Sequence, residues 1–338
     1  MQCIRLFSDR KRHPAPERTD IWHHVAMAYE GSIIERLLRV RRDRRAHRAV
    51  AADLPERLAD VTRRWPEAAD QPLPCEDPVF ICSAGWRSGS TLLQRMVIAG
   101  SQVDTTRGSG TMVWGEPHNR AEMIPNMARQ WRPFTHRWPP LADQDATLID
   151  GPLQEAWIPK LSPPVLALRH AHRAYFDTMF GAPARELGHD RWGIKEVFLD
   201  PAHVVYLNWL FPRARILFLV RNPQDAFLSY KVRGPWYLEW PERSIATGWS
   251  YGRLWSRLTT GYLALARKDI GLLVRYEDLE HSSEGIARYL GHSVPRPSEL
   301  PRLRGDAPIR GHARVGLLES LMVSVRTRVA RRQLADAE

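Results

Sequence analysis

A short apolar run that leads into a glycine-containing loop, and then into a helical pattern, constrains this chain more than any other feature. Residues 79–82 are apolar, residues 83–91 read SAGWRSGST, and apolar residues then recur at helical spacing through Val97. The pattern predicts a strand, a tight loop and a helix. Such a turn aims unpaired backbone N–H groups and the positive end of a helix dipole at one point, which favours a bound phosphate.

The cation of this loop is Arg87, and it stands before the Ser-Gly-Ser-Thr turn. A nucleoside-triphosphatase loop instead ends in Gly-Lys-Ser/Thr, with the lysine on the transferred phosphate and the hydroxyl on magnesium. An arginine prefers forked contact with an oxyanion that stays in place. The alternative is an ordinary strand–helix connection that needs glycine only for packing.

A second feature covers residues 215–233, where a continuous apolar run ends in Arg221-Asn222-Pro223 and a helical pattern follows. Continuous apolar runs are typical of strands buried on both faces of a parallel sheet. Arg221 would then stand at the carboxyl edge of the sheet, where open α/β sheets bind ligands. Ser229 and Arg233 are four residues apart on one helix face, so they and Arg221 are predicted to converge on a second anion. The alternative is an incidental Arg221 and a solvated Arg233.

Predicted strands at 79–82, 191–194, 215–220 and 272–276 alternate with predicted helices. This alternation predicts an α/β, P-loop-like three-layer fold with a central parallel sheet. Residues 1–75 are expected to form an N-terminal helical extension and a proline-rich linker, and residues 76–338 the main domain. Residues 117–190 are rich in Trp, Pro, His and Arg, and we expect them to form loops and short helices over the site.

The net charge of +11 comes almost entirely from arginine, with 44 arginines against five lysines. This ratio indicates a compositional bias rather than a nucleic-acid footprint, so no nucleic-acid partner is expected. Cys3, Cys75 and Cys82 form neither a metal-spaced set nor an even disulfide framework, which fits a reducing, cytoplasmic compartment. No stretch is long and apolar enough for a transmembrane helix, and no secretory signal is evident.

The pair WRSGST (residues 86–91) and VRNPQDAFLSYK (residues 220–231) resembles the 3′-phosphoadenosine 5′-phosphosulfate (PAPS)-dependent sulfotransferases. The similarity is to the branch with arginine in the phosphate loop, as in tyrosylprotein and many bacterial sulfotransferases, and it covers roughly residues 78–120 and 190–315. It implies an enzyme that transfers the sulfuryl group of PAPS to a hydroxyl of a small-molecule, carbohydrate or lipid acceptor. Adenosine 3′,5′-bisphosphate would be released, and no metal would be needed. Residues 117–190 would then be the acceptor or lid insertion.

The resemblance also implies a set of donor-binding residues. The 5′-phosphosulfate would be held by Arg87, Ser88, Gly89, Ser90 and Thr91. The 3′-phosphate would be held by Arg221 and Ser229, with Arg233 matching a further arginine one helical turn on. Tyr276 matches a tyrosine that contacts the nucleotide, although an ordinary strand-end aromatic is the alternative. A basic loop that closes over the nucleotide is matched loosely by residues 304–316, with Arg310 and Gly311 as its contacts.

Two further residues are predicted to act on the transferred group, together with Arg87. Sulfuryl transfer resembles phosphoryl transfer and needs a base for the acceptor proton and cations for the developing charge. Glu116 stands in a Gly-Glu context like the family's acidic base, but farther from the loop than in the protein-tyrosine members; His118 is its rival. A capping or salt-bridged carboxylate is the alternative for Glu116. Lys195 matches, by its spacing before Arg221, the lysine that stabilises the transferring group, with a surface lysine as the alternative.

Two rival functions remain open from the sequence. One is a metal-dependent P-loop nucleotide kinase, which the missing Gly-Lys pair disfavours. The other is a non-catalytic nucleotide- or polyanion-binding protein, which the positive charge suggests and which strongly salt-dependent binding would reveal.

Overall fold

The computed structural model of the protein describes residues 73–103, 110–115, 165–197, 199–231, 239–240, 243–245, 247–301 and 315–337. Seven strands lie in these ranges: β1 Val79–Ser83, β2 Thr111–Gly115, β3 Arg191–Glu196, β4 Arg215–Val220, β5 Glu239–Trp240, β6 Arg243–Ser244 and β7 Leu272–Arg275. The longer helices are α1 Ser90–Val103, α2 Val165–Phe176, α3 Ala182–Glu186, α4 Pro201–Leu210, α5 Pro223–Lys231, α6 Gly248–Ala266, α7 Leu279–Leu290 and α8 Leu317–Ala335.

Five of the strands form one parallel sheet in the order β2-β3-β1-β4-β7. β1 lies at its centre, and all five of its residues are buried. The chain passes from β1 to β2 on one side and reaches β4 on the other. The carboxyl ends of β1 and β4 therefore form the crevice in which ligands of open α/β sheets bind.

Helices cover both faces of the sheet, so the domain has three layers. On one face, Val79 and Ile81 of β1 pack with Met96 of α1 and Ile286 of α7. On the other face, the alternate residues of β1 belong to a larger cluster that includes Tyr262 of α6. This architecture confirms the predicted α/β fold with a central parallel sheet.

Helices α2 and α3 flank a π-helical turn, Asp177–Gly181, and together they run without a break from 165 to 186. Phe176 and Phe180 stack on Trp192 of β3, at ring-centroid distances of 6.1 and 5.9 Å. Short helices over the site were expected in 117–190, yet in its described part this region is continuous helix that packs into the core. The lid role of residues 117–164 stays a prediction, because those residues lie outside the described ranges.

Helix α8 was not predicted from the sequence. Its buried face consists of Val323, Thr327, Ala330 and Leu334. It packs against α6, where a Cβ added to Gly248 would lie 2.4 Å from the carbonyl oxygen of Glu319. The contact with α6 therefore depends on the absence of a side chain at that glycine.

Two elements differ slightly from their predicted bounds. α6 begins four residues later than the predicted start at 244, because Thr247 caps it by accepting a hydrogen bond from the Ser250 N–H. β7 ends before Tyr276, which opens a 3-10 turn.

In the part of the chain that the structure describes, no helix has the length and apolar character to cross a membrane. The predicted N-terminal helical extension lies outside the described residues, apart from 73–75.

Candidate active site

The loop after β1 and the segment after β4 meet, because their strands are neighbours in the sheet. Ser83 is paired with Leu219, and the Ala84 N–H donates to the Leu219 carbonyl at 2.9 Å. Residues 84–89 follow β1, and Arg221 follows β4. Both therefore leave the carboxyl edge of the sheet side by side. The sheet order brings together two motifs that lie more than 130 residues apart in sequence.

The backbone of the loop takes left-handed conformations at Gly85, Arg87 and Gly89, with φ values of 99°, 57° and 90°. Such a conformation is uncommon for a residue with a side chain, so Arg87 carries backbone strain. Left-handed residues alternating with others are the pattern in which backbone N–H groups turn inward and form an anion-binding concavity. Helix α1 begins directly after the loop, at Ser90, so its dipole adds positive potential at the same place.

Arg87, Arg221 and Ser229 form a connected group. The Nε–H of Arg87 donates to the Ser229 hydroxyl oxygen at 3.2 Å. Nη1 of Arg221 donates to the main-chain carbonyl of Arg87 at 3.0 Å. The first and second predicted anion sites are therefore next to each other, as binding of one bisphosphorylated nucleotide would require.

Tyr276, the first residue after β7, covers this group. Cζ of Arg221 lies 4.4 Å from the centroid of the Tyr276 ring, within cation–π range. A Cβ added to Gly89 would lie 2.2 Å from two carbons of that ring. The tyrosine therefore rests on the loop where only glycine leaves room. The Trp255 indole N–H also donates to the Arg221 carbonyl at 3.0 Å and holds the main chain in place.

Two buried polar atoms of the site, the Ser88 hydroxyl oxygen and Nε of Arg221, have no hydrogen-bond partner among the residues that the structure describes. Buried polar groups normally find a partner, and one that lacks it calls for an explanation such as a ligand. Ser88 is only 2% exposed, and Ser90 is also buried. Thr91, in contrast, is solvent-exposed. The arrangement fits a phosphate-bearing ligand over the loop.

Lys195 lies on the other side of β1 from Arg221. It is 3% exposed and is paired with Ile81 of β1 and Gly115 of β2. Residues paired in register project to the same face, so Lys195 shares the face of Ile81, toward α1. Lys195 is thus not the surface lysine that the sequence left open.

Five predicted site residues lie outside the described residues: Glu116, His118, Arg233, Arg310 and Gly311. Glu116 follows Gly115, the last residue of β2, directly in sequence. Gly115 is the strand partner of Lys195, so the chain lies beside Lys195 one residue before Glu116.

Sequence reasoning missed Glu196, a fully buried carboxylate that is paired with Cys82. Burial, together with Glu196 and Asp200, raises the pKa of the Cys82 thiol well above its ordinary value. Cys82 is therefore a neutral thiol. An acidic residue that directly follows a predicted buried strand was the available signal for Glu196. Among the described residues, no group of three or more His, Cys, Asp or Glu is placed to hold a metal.

Comparison with known proteins identifies a family that matches this chain. A model of the "Sulfotransferase family" matches residues 78–294, which is more than half of the chain. The crystal structure of a sulfotransferase from Alicyclobacillus acidocaldarius is similar at 14% sequence identity with a TM-score of 0.36. That match covers 77% of this chain and 94% of the other. No curated protein sequence matches significantly.

Proposed function

This chain belongs to the sulfotransferase family, and we propose that it transfers the sulfuryl group of PAPS to a hydroxyl of a small-molecule, carbohydrate or lipid acceptor. One observation carries the proposal: Arg221 donates to the Arg87 carbonyl while Arg87 donates to Ser229. Two arginines from separate motifs thus adjoin at one crevice. A nucleotide with phosphates at both its 5′ and 3′ positions would be served by two such adjoining cations.

The loop residues are suited to the 5′-phosphosulfate. Backbone N–H groups at 88–91, the Ser88 and Ser90 hydroxyls and the Arg87 guanidinium would surround it, with Thr91 at the solvent side. The unpartnered Ser88 hydroxyl supports this assignment, because an oxyanion would supply its missing acceptor. Gly89 allows the loop to lie under Tyr276.

The 3′-phosphate would lie against Arg221 and Ser229. The unpartnered Nε of Arg221 supports this placement, and a forked guanidinium suits a phosphate that does not react. Tyr276 would contact the nucleotide. Arg233, Arg310 and Gly311 complete the proposed donor site on the strength of the family resemblance alone.

Transfer itself needs a base and fixed positive charge. PAPS, when bound, supplies a sulfuryl group attached to a good leaving group. Glu116 would take the proton of the acceptor hydroxyl, with His118 as the second candidate. Lys195, whose strand partner Gly115 directly precedes Glu116, would neutralise charge on the peripheral oxygens, and Arg87 would stabilise the leaving phosphate.

The remaining proposals concern organisation. Residues 1–75 would be an appended extension with a linker, and 76–338 the catalytic domain with an acceptor-binding insertion at 117–190. Cys75 and Cys82 are free thiols, which supports a reducing, cytoplasmic location.

The decisive experiment is incubation of the purified protein with ³⁵S-labelled PAPS and a panel of hydroxyl acceptors, followed by identification of the labelled product. We expect labelled sulfate ester and a stoichiometric amount of adenosine 3′,5′-bisphosphate. The activity should need no added metal and should be retained in EDTA. An otherwise identical reaction with ATP and magnesium tests the kinase alternative. Phosphoryl transfer in that reaction, with none from PAPS, would overturn the proposal.

A further inference from the structure

A cavity of about 520 Å³ opens between the carboxyl ends of β4 and β7 and the last turns of α8. Five arginines line it. Two come from the strand ends and three from α8: Arg221, Arg275, Arg328, Arg331 and Arg332. The α8 arginines lie beyond residue 294, where the match to the family ends, so the family comparison does not assign them.

The described residues that line this cavity do not balance its positive charge. Their single carboxylate is Glu277, whose Oε1 accepts from the Asn222 N–H at 2.7 Å. Arg275 pairs with Asp278 at 3.3 Å. Within the described ranges, Arg328, Arg331 and Arg332 form no ion pair, whereas Lys231 is paired with Glu319 at the other end of α8.

Concave surfaces lined by one sign of charge focus the field and attract counter-ions. Guanidinium groups recognise phosphate and sulfate through pairs of N–H donors. The cavity also contains Arg221, which has a buried Nε–H without a partner. Trp255 supplies an aromatic wall. The volume of the cavity suits a ligand fragment larger than a single ion.

We propose that this cavity binds a tetrahedral oxyanion group, phosphate or sulfate, through Arg328, Arg331 and Arg332 of α8. Two molecules could present that group. One is the 3′-phosphate end of the donor nucleotide, an assignment that rests on the proposed function. The other is a separate phosphate- or sulfate-bearing molecule that binds beside the donor.

The α8 arginines have one other role that must be separated from binding. Arg332 lies in the last turn of α8, where a cation offsets the helix dipole and adds to the stability of the protein. That effect would appear in thermal unfolding of the free protein. It would not appear as a preference between ligands.

The test compares the full-length triple variant R328Q/R331Q/R332Q with a control, R253Q/R267Q/R288Q. The control removes the same charge from exposed arginines on α6, the end of α6 and α7. Isothermal titration calorimetry would use three probes: adenosine 3′,5′-bisphosphate, adenosine 5′-monophosphate and inorganic phosphate. Thermal unfolding without ligand would be measured for each protein.

We expect the α8 variant, and not the control, to bind an oxyanion at least about tenfold more weakly, because hydrogen bonds between charged groups are stronger than those between neutral ones. A loss for the bisphosphate that spares the monophosphate identifies the group as the 3′-phosphate. A loss confined to inorganic phosphate identifies a separate molecule.

Unchanged affinity for all three probes, or losses equal to those of the control, would overturn the inference. So would a lowered melting temperature with unchanged binding, because the arginines would then serve only the helix. The proposed function fails by a different result. If the wild-type protein binds neither nucleotide but binds phosphate in an α8-dependent way, the donor assignment is wrong and the oxyanion cavity stands.

Discussion

Arg221 donates from Nη1 to the main-chain oxygen of Arg87 at 3.0 Å, across 134 positions of sequence. The contact joins a side chain proposed to bind the 3′-phosphate to the backbone proposed to hold the 5′-phosphosulfate. It occurs at the one non-glycine residue of the loop with a left-handed backbone. Arg221 thus has two roles, supplying charge and supporting the conformation of the loop.

Ser229 is the most direct test of this connected group. Ser229→Ala removes the oxygen that accepts from Arg87 Nε at 3.2 Å. We expect roughly tenfold weaker binding of adenosine 3′,5′-bisphosphate, because one charged hydrogen bond contributes about 1.5 kcal/mol. Ser229→Thr retains the hydroxyl and is the matched control. Equal affinities of the alanine variant and the wild type in calorimetry would remove Ser229 from the donor site.

The two left-handed loop glycines allow strain to be separated from steric clash. A Cβ at Gly85 would meet nothing within 4 Å, whereas a Cβ at Gly89 would lie 2.2 Å from the Tyr276 ring. Both alanine variants carry a backbone penalty of about 1–2 kcal/mol, but only Gly89→Ala must also displace Tyr276.

We therefore expect Gly89→Ala to lose donor affinity by a larger factor than Gly85→Ala at a similar change in melting temperature. The double variant G89A/Y276A removes the clash and would recover part of the loss. If the two single variants bind the nucleotide equally, Tyr276 does not define the site.

Glu116 and His118 can be distinguished by the kcat values of their glutamine variants. Glu116→Gln keeps the size of the side chain but cannot accept the acceptor proton, so we expect kcat to fall by about 10²–10⁴-fold, the usual contribution of a positioned base. His118→Gln should leave kcat within a few-fold. Steady-state kinetics of the two variants and the wild type would measure these kcat values. The reverse pattern would make His118 the base.

Lys195 is predicted to act on the transition state rather than on donor binding. Lys195→Met keeps the aliphatic bulk at this buried position and removes the charge. We expect kcat to fall by about 10²–10³-fold, as on removal of one stabilising donor, with the affinity for adenosine 3′,5′-bisphosphate nearly unchanged. Calorimetry alongside kinetics separates the two effects, and an equal loss in both would indicate a binding role.

His172 is expected to make stability depend on pH. Burial lowers the pKa of this histidine from 6.5 to about 4, and its Nδ1 is hydrogen-bonded with the Tyr206 hydroxyl. Between pH 6.5 and 4 the unfolded chain therefore binds the proton more readily, so the free energy of unfolding falls as the pH falls through this window.

Urea unfolding at pH 7 and pH 5 would measure the effect. The decrease between these two pH values should be smaller in His172→Gln than in the wild type, and unchanged in a control at the exposed His281 on α7. An unchanged decrease in His172→Gln would mean that the histidine is not buried in its neutral form.

The sequence was most informative where a local pattern fixes an element. Helix α4 matches its predicted bounds, 201–210, because Asp200 caps it and Pro201 suits its first turn. β4 was likewise predictable as a continuous apolar run buried on both faces. In the site, the individual anion-binding motifs were predicted from their own residues.

Helix α8 escaped prediction for a physical reason. Three of its four leucines, Leu317, Leu318 and Leu321, are exposed, while its buried face includes the small Ala330 and the polar Thr327. No single apolar stripe marks such a helix. The contact between Arg221 and Arg87 was also out of reach of local patterns, since it depends on β4 pairing with β1, which is a property of the whole sheet.

The central position of β1 divides the proposed chemistry between two flanks. The proposed donor contacts come from the loop after β1 and from the β4 and β7 side, whereas Lys195 and the chain leading to Glu116 belong to β3 and β2. If the proposed function holds, substitutions on the β2–β3 flank would lower the rate of transfer with little effect on nucleotide affinity, whereas substitutions on the β4–β7 flank would weaken nucleotide binding itself.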